Sequence, residues 1–175
     1  MSAKIRINKA ATDGLILAAV TIILSLVKEL VSQAWVSPLI WIVKLAATLI
    51  VLHYLMKKNT ELNTLEKIET TYGNSFKYGF IVSLFSVIVI TLYLYIYTSI
   101  NSTEIAQQTE LALQEIEDKG LDEQTGELAY WILNNIKATT ILSSLILYTI
   151  WSAIASAIMA SSTKSPNNPF KNIQD

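Results

Sequence analysis

The chain has 175 residues, of which 52% are hydrophobic and only 15% are charged, and its formal net charge is −1. A soluble domain of this length would carry more charge on its surface, and a nearly neutral chain has no general attraction for nucleic acid. The absence of cysteine excludes disulfides, thiolate metal sites and thiol redox chemistry. These counts predict a membrane protein without a nucleic-acid partner.

Four long apolar stretches occupy most of the chain. In order, they cover residues 11–31, 39–56, 79–100 and 138–160. Each is about long enough to cross a hydrocarbon layer of roughly 30 Å as a helix, and the third is apolar on every side. The predicted fold is therefore an all-α membrane protein, with a single four-helix bundle over residues 1–175.

Basic residues are distributed unevenly between the polar segments. With four crossings, nine of the thirteen basic residues fall on one side of the membrane, namely Lys4, Arg6, Lys9, Lys57, Lys58, Lys67, Lys77, Lys164 and Lys171. The other side receives an uncharged link around residues 32–38 and the loop 101–137, which has eight carboxylates and two lysines. Cytoplasmic flanks are enriched in Lys and Arg. We therefore expect cytoplasmic N- and C-termini, an extracytoplasmic acidic loop, and a flexible cytoplasmic tail over residues 162–175.

The polar segment 57–77 has apolar residues at three- to four-residue steps, with charged residues on the opposite face. This pattern predicts that the second span continues as an amphipathic helix, which the Gly73-Asn-Ser sequence ends. Such an arm would rest on the membrane surface. A docking surface for a soluble partner is the alternative.

The loop 101–137 is predicted to form two amphipathic helices on the outer face of the membrane. Asn101 and the glutamate three residues later have the spacing of a capping box, and Gly120 ends the first helix. Asp122 is a candidate cap for the second helix, and the pair 134–135 separates that helix from the fourth span.

The carboxylates of this loop raise the question of a divalent-cation site. Glu123 and Glu127 would share a helical face, and Asp118 and Asp122 lie nearby in the sequence. However, the loop has no calcium-binding motif and no histidine. We therefore predict no metal site.

Two ionisable residues within the spans are predicted to pair. A tight hairpin about residues 36–37 places Glu29 opposite Lys44, because both lie equally far from the turn. Charges at membrane depth are costly unless they are paired, and they often mark function. We interpret a Glu29–Lys44 ion pair as a structural link between spans one and two, and a proton or substrate relay is the alternative.

Three other polar residues lie near the ends of the spans. Lys28 can extend its ammonium group to the outer interface. His53, the only histidine, is interpreted as a hydrogen-bonding residue at the interface and not as a proton shuttle. Asp13 is expected to serve the N-terminus of the first helix or to meet Lys57.

Small residues recur every four positions in three of the spans. Such repeats allow helix backbones to approach each other closely, and they predict compact packing without specifying a dimer. The repeats are Ser152, Ser156 and Ala160; Ala153, Ala157 and Ser161; Gly14 and Ala18; and Gly79 and Ser83.

Three features together resemble a known family. They are the sequence Tyr72-Gly-Asn-Ser-Phe-Lys-Tyr-Gly-Phe entering the third span, the long acidic loop that ends in a helix, and Trp151-Ser-Ala-Ile-Ala-Ser-Ala-Ile-Met-Ala with its polar tail. Over nearly all of residues 10–165, the chain resembles the four-span bacterial membrane proteins, common in Bacteroidetes, called domain of unknown function 4199. The resemblance implies a bacterial inner membrane and a periplasmic acidic loop, and it supplies no catalytic residues.

No metalloprotease, prenyl-transfer or serine–histidine motif is present. We therefore expect a non-enzymatic scaffold, accessory subunit or assembly partner, without a cofactor, whose partners are the lipid bilayer and another membrane protein or a second copy. The alternative is a small transporter or channel, although the central positions Ile22, Thr48, Val89 and Tyr148 are uncharged. A lipid-modifying enzyme that uses Glu29, Lys44 or the loop carboxylates is a third hypothesis.

Overall fold

A computed structural model describes residues 6–30, 37–118 and 123–164. These ranges contain six helices and no strand. The helices are α1 (Ile7–Leu30), α2 (Ser37–Leu65), α3 (Tyr72–Ile100), α4 (Ser102–Asp118), α5 (Glu123–Asn134) and α6 (Ile136–Thr163). Four of them, α1, α2, α3 and α6, are long and apolar enough to cross a membrane. The predicted all-α class and the four apolar helices are confirmed, and the chain is a multi-pass membrane protein.

The chain forms two compact units. The first contains α1, α2, the beginning of α3 up to Val87 and the end of α6 from Thr149. The second, residues 88–148, contains the rest of α3 and α6 together with α4 and α5.

All four apolar helices contribute to the core of the first unit. Leu17 of α1, Leu52 of α2, Tyr78 of α3 and Ala155 of α6 are buried in one hydrophobic cluster. The buried residues of α6 are Ser152, Ala155, Ser156, Ala160 and Thr163. The small-residue repeat that starts at Ser152 therefore faces the other helices, as predicted.

Glycine allows two close helix contacts in this unit. A Cβ added at Gly14 would lie 2.5 Å from Cβ of Phe85 and 2.7 Å from the carbonyl oxygen of Val82. A Cβ added at Gly79 would lie 2.6 Å from Sδ of Met56. Real Cβ atoms do not approach other heavy atoms this closely. Gly14 therefore requires glycine while α1 and α3 keep this distance. At Gly79 the contacting atom is the end of the flexible Met56 side chain, which would have to shift to admit a Cβ. The predicted tight packing is confirmed at both glycines.

The second span continues beyond its apolar part, as predicted, but it ends earlier than the sequence indicates. The helix stops at Leu65, and Gly73 lies inside the first turn of α3. Lys67 adopts the left-handed conformation with φ 58°, and the backbone N–H of Ile68 donates to the carbonyl of Asn63 over 2.8 Å. This is a Schellman C-cap, in which a lysine takes the position that glycine usually occupies.

The third span passes into α4 through a single non-helical residue, Asn101. Its backbone N–H donates to the carbonyl of Tyr97, and its carbonyl accepts from the N–H of Ile105, both over 3.0 Å. Its side-chain amide also donates to the Tyr97 carbonyl. The predicted capping box is therefore wrong, because the helical hydrogen bonds continue through this residue and leave no new N-terminus to cap.

The acidic loop folds as predicted into two helices, and α4 packs against α5. Gly120 and Asp122, the predicted helix end and cap, lie outside the described residues, as do the uncharged link 31–36 and the tail from residue 165 onward. Asn135 alone separates α5 from α6, which confirms the predicted break. Next to it, Lys137 lies 4.5 Å from the ring centroid of Tyr95 and donates to Oγ of Ser99 over 2.7 Å, so the start of α6 contacts the end of α3.

Candidate functional site

The start of α1, the end of α2, the start of α3 and the end of α6 meet at one end of the first unit. Polar side chains concentrate there, although each of the four helices is largely apolar. The innermost group is the Lys9–Asp13–Tyr78 cluster. Asp13 is 6% exposed and Tyr78 is 2% exposed, so this cluster is the most deeply enclosed set of ionisable groups in the described part of the chain.

Three hydrogen bonds close the Lys9–Asp13–Tyr78 cluster. Nζ of Lys9 donates to Oδ2 of Asp13 over 2.5 Å and to the hydroxyl oxygen of Tyr78 over 3.0 Å. The Tyr78 hydroxyl in turn donates to Oδ2 of Asp13 over 2.5 Å. The buried carboxylate therefore has a counter-ion and a neutral donor, and burial without such partners would cost several kcal/mol. The cluster fixes α1 to α3.

Weaker polar contacts tie the neighbouring chain segments to the same end. Arg6 forms an ion pair with Glu66, just beyond the end of α2, and the two side chains are 36% and 49% exposed. Such an exposed pair contributes little to stability. Nδ2 of Asn63 donates to Oγ1 of Thr70 over 3.0 Å, and both residues are buried. This bond holds the two sides of the α2–α3 connection together.

Hydroxyl groups connect α2, α3 and α6 at this end. Oγ1 of Thr60 donates to the carbonyl of Thr163 over 2.5 Å, and the hydroxyls of Ser75 and Thr163 lie 2.6 Å apart. The Tyr72 hydroxyl donates to the carbonyl of Ala157 over 3.2 Å. The bond from Thr60 satisfies the carbonyl of Thr163, one of the last four carbonyls of α6, which have no partner within the helix. Together, the three contacts explain why polar residues are buried at the end of an apolar helix.

Lys44 of α2 faces α1, as the predicted hairpin requires. Its Nζ donates to Oγ of Ser25 over 2.8 Å, and the Ser25 hydroxyl donates to the carbonyl of Thr21. Ser25 lies one turn before Glu29 on the same face of α1. The side chain of Glu29 lies outside the described residues, so the Glu29–Lys44 ion pair stays a prediction.

The other sequence-based candidates are found in three different settings. Lys28 is exposed in the last turn of α1. His53 places Nδ1 3.3 Å from Oγ of Ser162 on α6, which is a hydrogen-bonding position. Asp13 lies nearly two turns inside α1, and its partners are Lys9 and Tyr78 in place of Lys57.

Sequence reasoning missed Lys9 and Tyr78 as members of the site. The four-residue spacing of Lys9 and Asp13 was a usable signal, because residues so spaced are neighbours on a helix. Tyr78 gave no such signal, since it is 65 residues from Asp13 and meets it only through the packing of α3 on α1.

The α4–α5 pair forms a second candidate surface. Both helices carry exposed carboxylates, and their exposed apolar residues include Leu111, Leu128, Tyr130 and Trp131. Among the described residues, no three histidine, aspartate or glutamate side chains come close enough to hold a metal ion. Asp122 and the side chain of Glu123 lie outside the described residues.

No curated protein and no solved structure matches the chain. One family model matches residues 12–161, which include nearly all of α1 and α6 and everything between them. The chain therefore belongs to the family described as protein of unknown function (DUF4199).

Proposed function

We propose that this chain is a small, non-enzymatic membrane protein of the bacterial inner membrane that acts as a scaffold, accessory subunit or assembly partner. The observation that carries the proposal is the α4–α5 pair, whose two amphipathic helices pack on each other and still expose large apolar side chains. In this arrangement both termini are cytoplasmic and the pair faces the periplasm. Its partner is another membrane protein or a second copy of this chain.

The chemistry of the α4–α5 pair fits protein recognition. Leu128 and Trp131, three residues apart, share one face of α5, and Trp131 is 61% exposed. Trp and Tyr side chains in such a position are typical centres of interfaces. The carboxylates around them would steer a partner with a basic surface.

The polar end of the first unit, where the start of α1, the end of α2, the start of α3 and the end of α6 meet (the tied end), also supports a structural role. Its polar groups form hydrogen bonds and ion pairs with each other between helices, as in the Lys9–Asp13–Tyr78 cluster. Such compensated groups hold helices in fixed positions. A rigid support of this kind suits a protein that presents a recognition surface.

One observation favours a small transporter or channel as the second candidate. The Lys44 ammonium lies within α2 and is bonded to Ser25 of α1, and a charge inside a span is a candidate for ion or substrate binding. Transport predicts that Lys44→Met or Glu29→Gln abolishes flux in proteoliposomes while folding survives. A purely structural pair predicts that each change lowers stability and that combining the two restores it.

The proposal is tested by isolating the full chain in mild detergent and measuring the mass and composition of the complex. We expect a stoichiometric partner, or a defined oligomer, for the wild type and for Leu147→Ala, a matched change at an exposed apolar residue of α6. Trp131→Ala together with Leu128→Ala should release it. A complex that survives this double change, or a monomer without a partner, would contradict the proposal.

A further inference from the structure

The end of α6 lies across one particular turn of α2. His53 and Thr60, two turns apart on α2, contact consecutive residues of α6: His53 Nδ1 lies 3.3 Å from Oγ of Ser162, and Thr60 donates to the carbonyl of Thr163. The turn between His53 and Thr60 contains Lys57. Because residues 53, 57 and 60 share one face of a helix, Lys57 lies at the line where the two helices meet.

Two lysines lie where the end of α6 meets α2, a contact line that we call the α2–α6 seam. Lys57 and Lys164, the residue directly after α6, are both exposed. Neither forms an ion pair with another described residue, and the same holds for Glu61, one turn after Lys57. The C-terminus of α6 adds about half a negative charge. The Glu61 carboxylate and the end of α6 offset only part of the charge of the two ammonium groups. A net positive charge of about one half therefore remains.

Exposed apolar side chains continue directly from this basic seam along both helices. Ile50 and Tyr54 lie one to two turns before Lys57 on the same side of α2, and Ile154 and Ile158 occupy the corresponding positions before Ser162 on α6. All four are exposed in the isolated chain. A positively charged end above two apolar helix faces matches a molecule that has an anionic head and hydrocarbon chains.

We propose that this α2–α6 seam, formed by His53, Lys57, Ser162 and Lys164, binds the phosphate of an anionic membrane lipid. The two lysines supply the charge. The His53–Ser162 contact, one turn before Lys57 and two residues before Lys164, supplies polar lining. The acyl chains run along the apolar faces of α2 and α6. A free phosphate ion would use the lysines alone, and basic sites between spans typically take lipid headgroups. This site is separate from the α4–α5 surface and does not depend on the proposed function.

The test uses the purified full chain in nanodiscs that contain either phosphatidylcholine alone or phosphatidylcholine with phosphatidylglycerol. Lipid retention is measured by native mass spectrometry after release into detergent. We expect selective retention of phosphatidylglycerol by the wild type. Each lysine removed should weaken retention about fivefold, so Lys57→Ala with Lys164→Ala should weaken it roughly 25-fold.

The matched control is Lys58→Ala with Lys77→Ala, which removes the same charge from two other exposed lysines of the first unit. Retention within twofold of the wild type is expected for this control, and Glu61→Gln should strengthen retention because it removes the nearest carboxylate. Equal losses for the two double variants would show diffuse charge attraction and overturn the site. Inorganic phosphate that displaces the lipid completely, or retention of phosphatidylcholine as strong as that of phosphatidylglycerol, would overturn the assignment to an anionic lipid.

Discussion

At the scale of single residues, Asp13 shows how this protein accommodates a buried charge. Its carboxylate accepts from an ammonium group four residues earlier and from a hydroxyl on another helix. A carboxylate that loses one of two such partners keeps its burial cost but loses part of its compensation. Removing Lys9, Asp13 or Tyr78 is therefore expected to lower the free energy of unfolding by a different amount in each case.

We expect Tyr78→Phe to lower the free energy of unfolding by about 1–2 kcal/mol, because it deletes one hydrogen bond to a buried carboxylate while keeping the ring. Asp13→Asn should cost more, roughly 3 kcal/mol, since it leaves the Lys9 ammonium without its counter-ion. Unfolding in mixed micelles of dodecylmaltoside and sodium dodecyl sulfate measures both values.

The combined change Lys9→Met with Asp13→Leu serves as the control for charge. It removes both ions at once, so its loss should be smaller than that of Asp13→Asn alone. If Tyr78→Phe leaves the unfolding curve unchanged, the hydroxyl bond to Asp13 contributes nothing to stability, and the cluster is not a link between α1 and α3.

At the scale of helices, close contact between α1 and α3 depends on Gly14. We expect Gly14→Ala to destabilise the chain by about 1–3 kcal/mol, because the added Cβ would meet Cβ of Phe85 at 2.5 Å and the Val82 carbonyl at 2.7 Å. The thermal unfolding midpoint in detergent measures the loss. Gly73→Ala and Gly126→Ala are the controls, since a Cβ at either position meets nothing within 4 Å.

These two controls should be neutral or stabilising, because alanine favours a helix over glycine by about 1 kcal/mol. A Gly14→Ala chain as stable as the controls would mean that the α1–α3 distance adjusts without cost. The contact would then be incidental to the fold.

How far the helices can be predicted from sequence depends on the physical signal that each one carries. The four apolar helices could be predicted because a long uninterrupted hydrophobic run forms few structures other than a membrane-spanning helix. The end of α2 could not be predicted in this way. Gly73 is the stronger local signal for a helix end, whereas the actual cap uses Lys67 in a conformation that lysine rarely adopts. The capping box at Asn101 fails for a related reason: a short motif cannot show whether the preceding helix has stopped.

The candidate sites divide in the same way. The acidic character of the α4–α5 pair was readable from composition, and the position of Lys44 opposite α1 followed from simple hairpin geometry. The role of Tyr78 and the contact between His53 and Ser162, 109 residues apart, were not readable. Both depend on how helices distant in the sequence pack on each other, and a single sequence contains no record of that packing.

At the scale of the whole molecule, the first unit places the start of α1 and the end of α6 at the same end. The contacts of Thr163 with Thr60 and Ser75 establish this for α6, and the bond between Lys9 and Tyr78 does so for α1. Because the chain enters α1 and leaves α6 at the same end, it crosses the membrane an even number of times, as four membrane-spanning helices require. Which side of the membrane holds this end is then decided by charge.

Because the chain has no cysteine, single introduced thiols report this orientation directly. We expect Gln107→Cys on α4 to react with a membrane-impermeant maleimide in spheroplasts, and Lys58→Cys at the tied end to react only after permeabilisation, since basic flanks are retained in the cytoplasm. Both positions are exposed, so reactivity reflects the side of the membrane and not burial. The reverse pattern would place the acidic pair in the cytoplasm. Labelling of both thiols in intact spheroplasts would contradict four crossings altogether, because α3 would then fail to carry the chain from one side to the other.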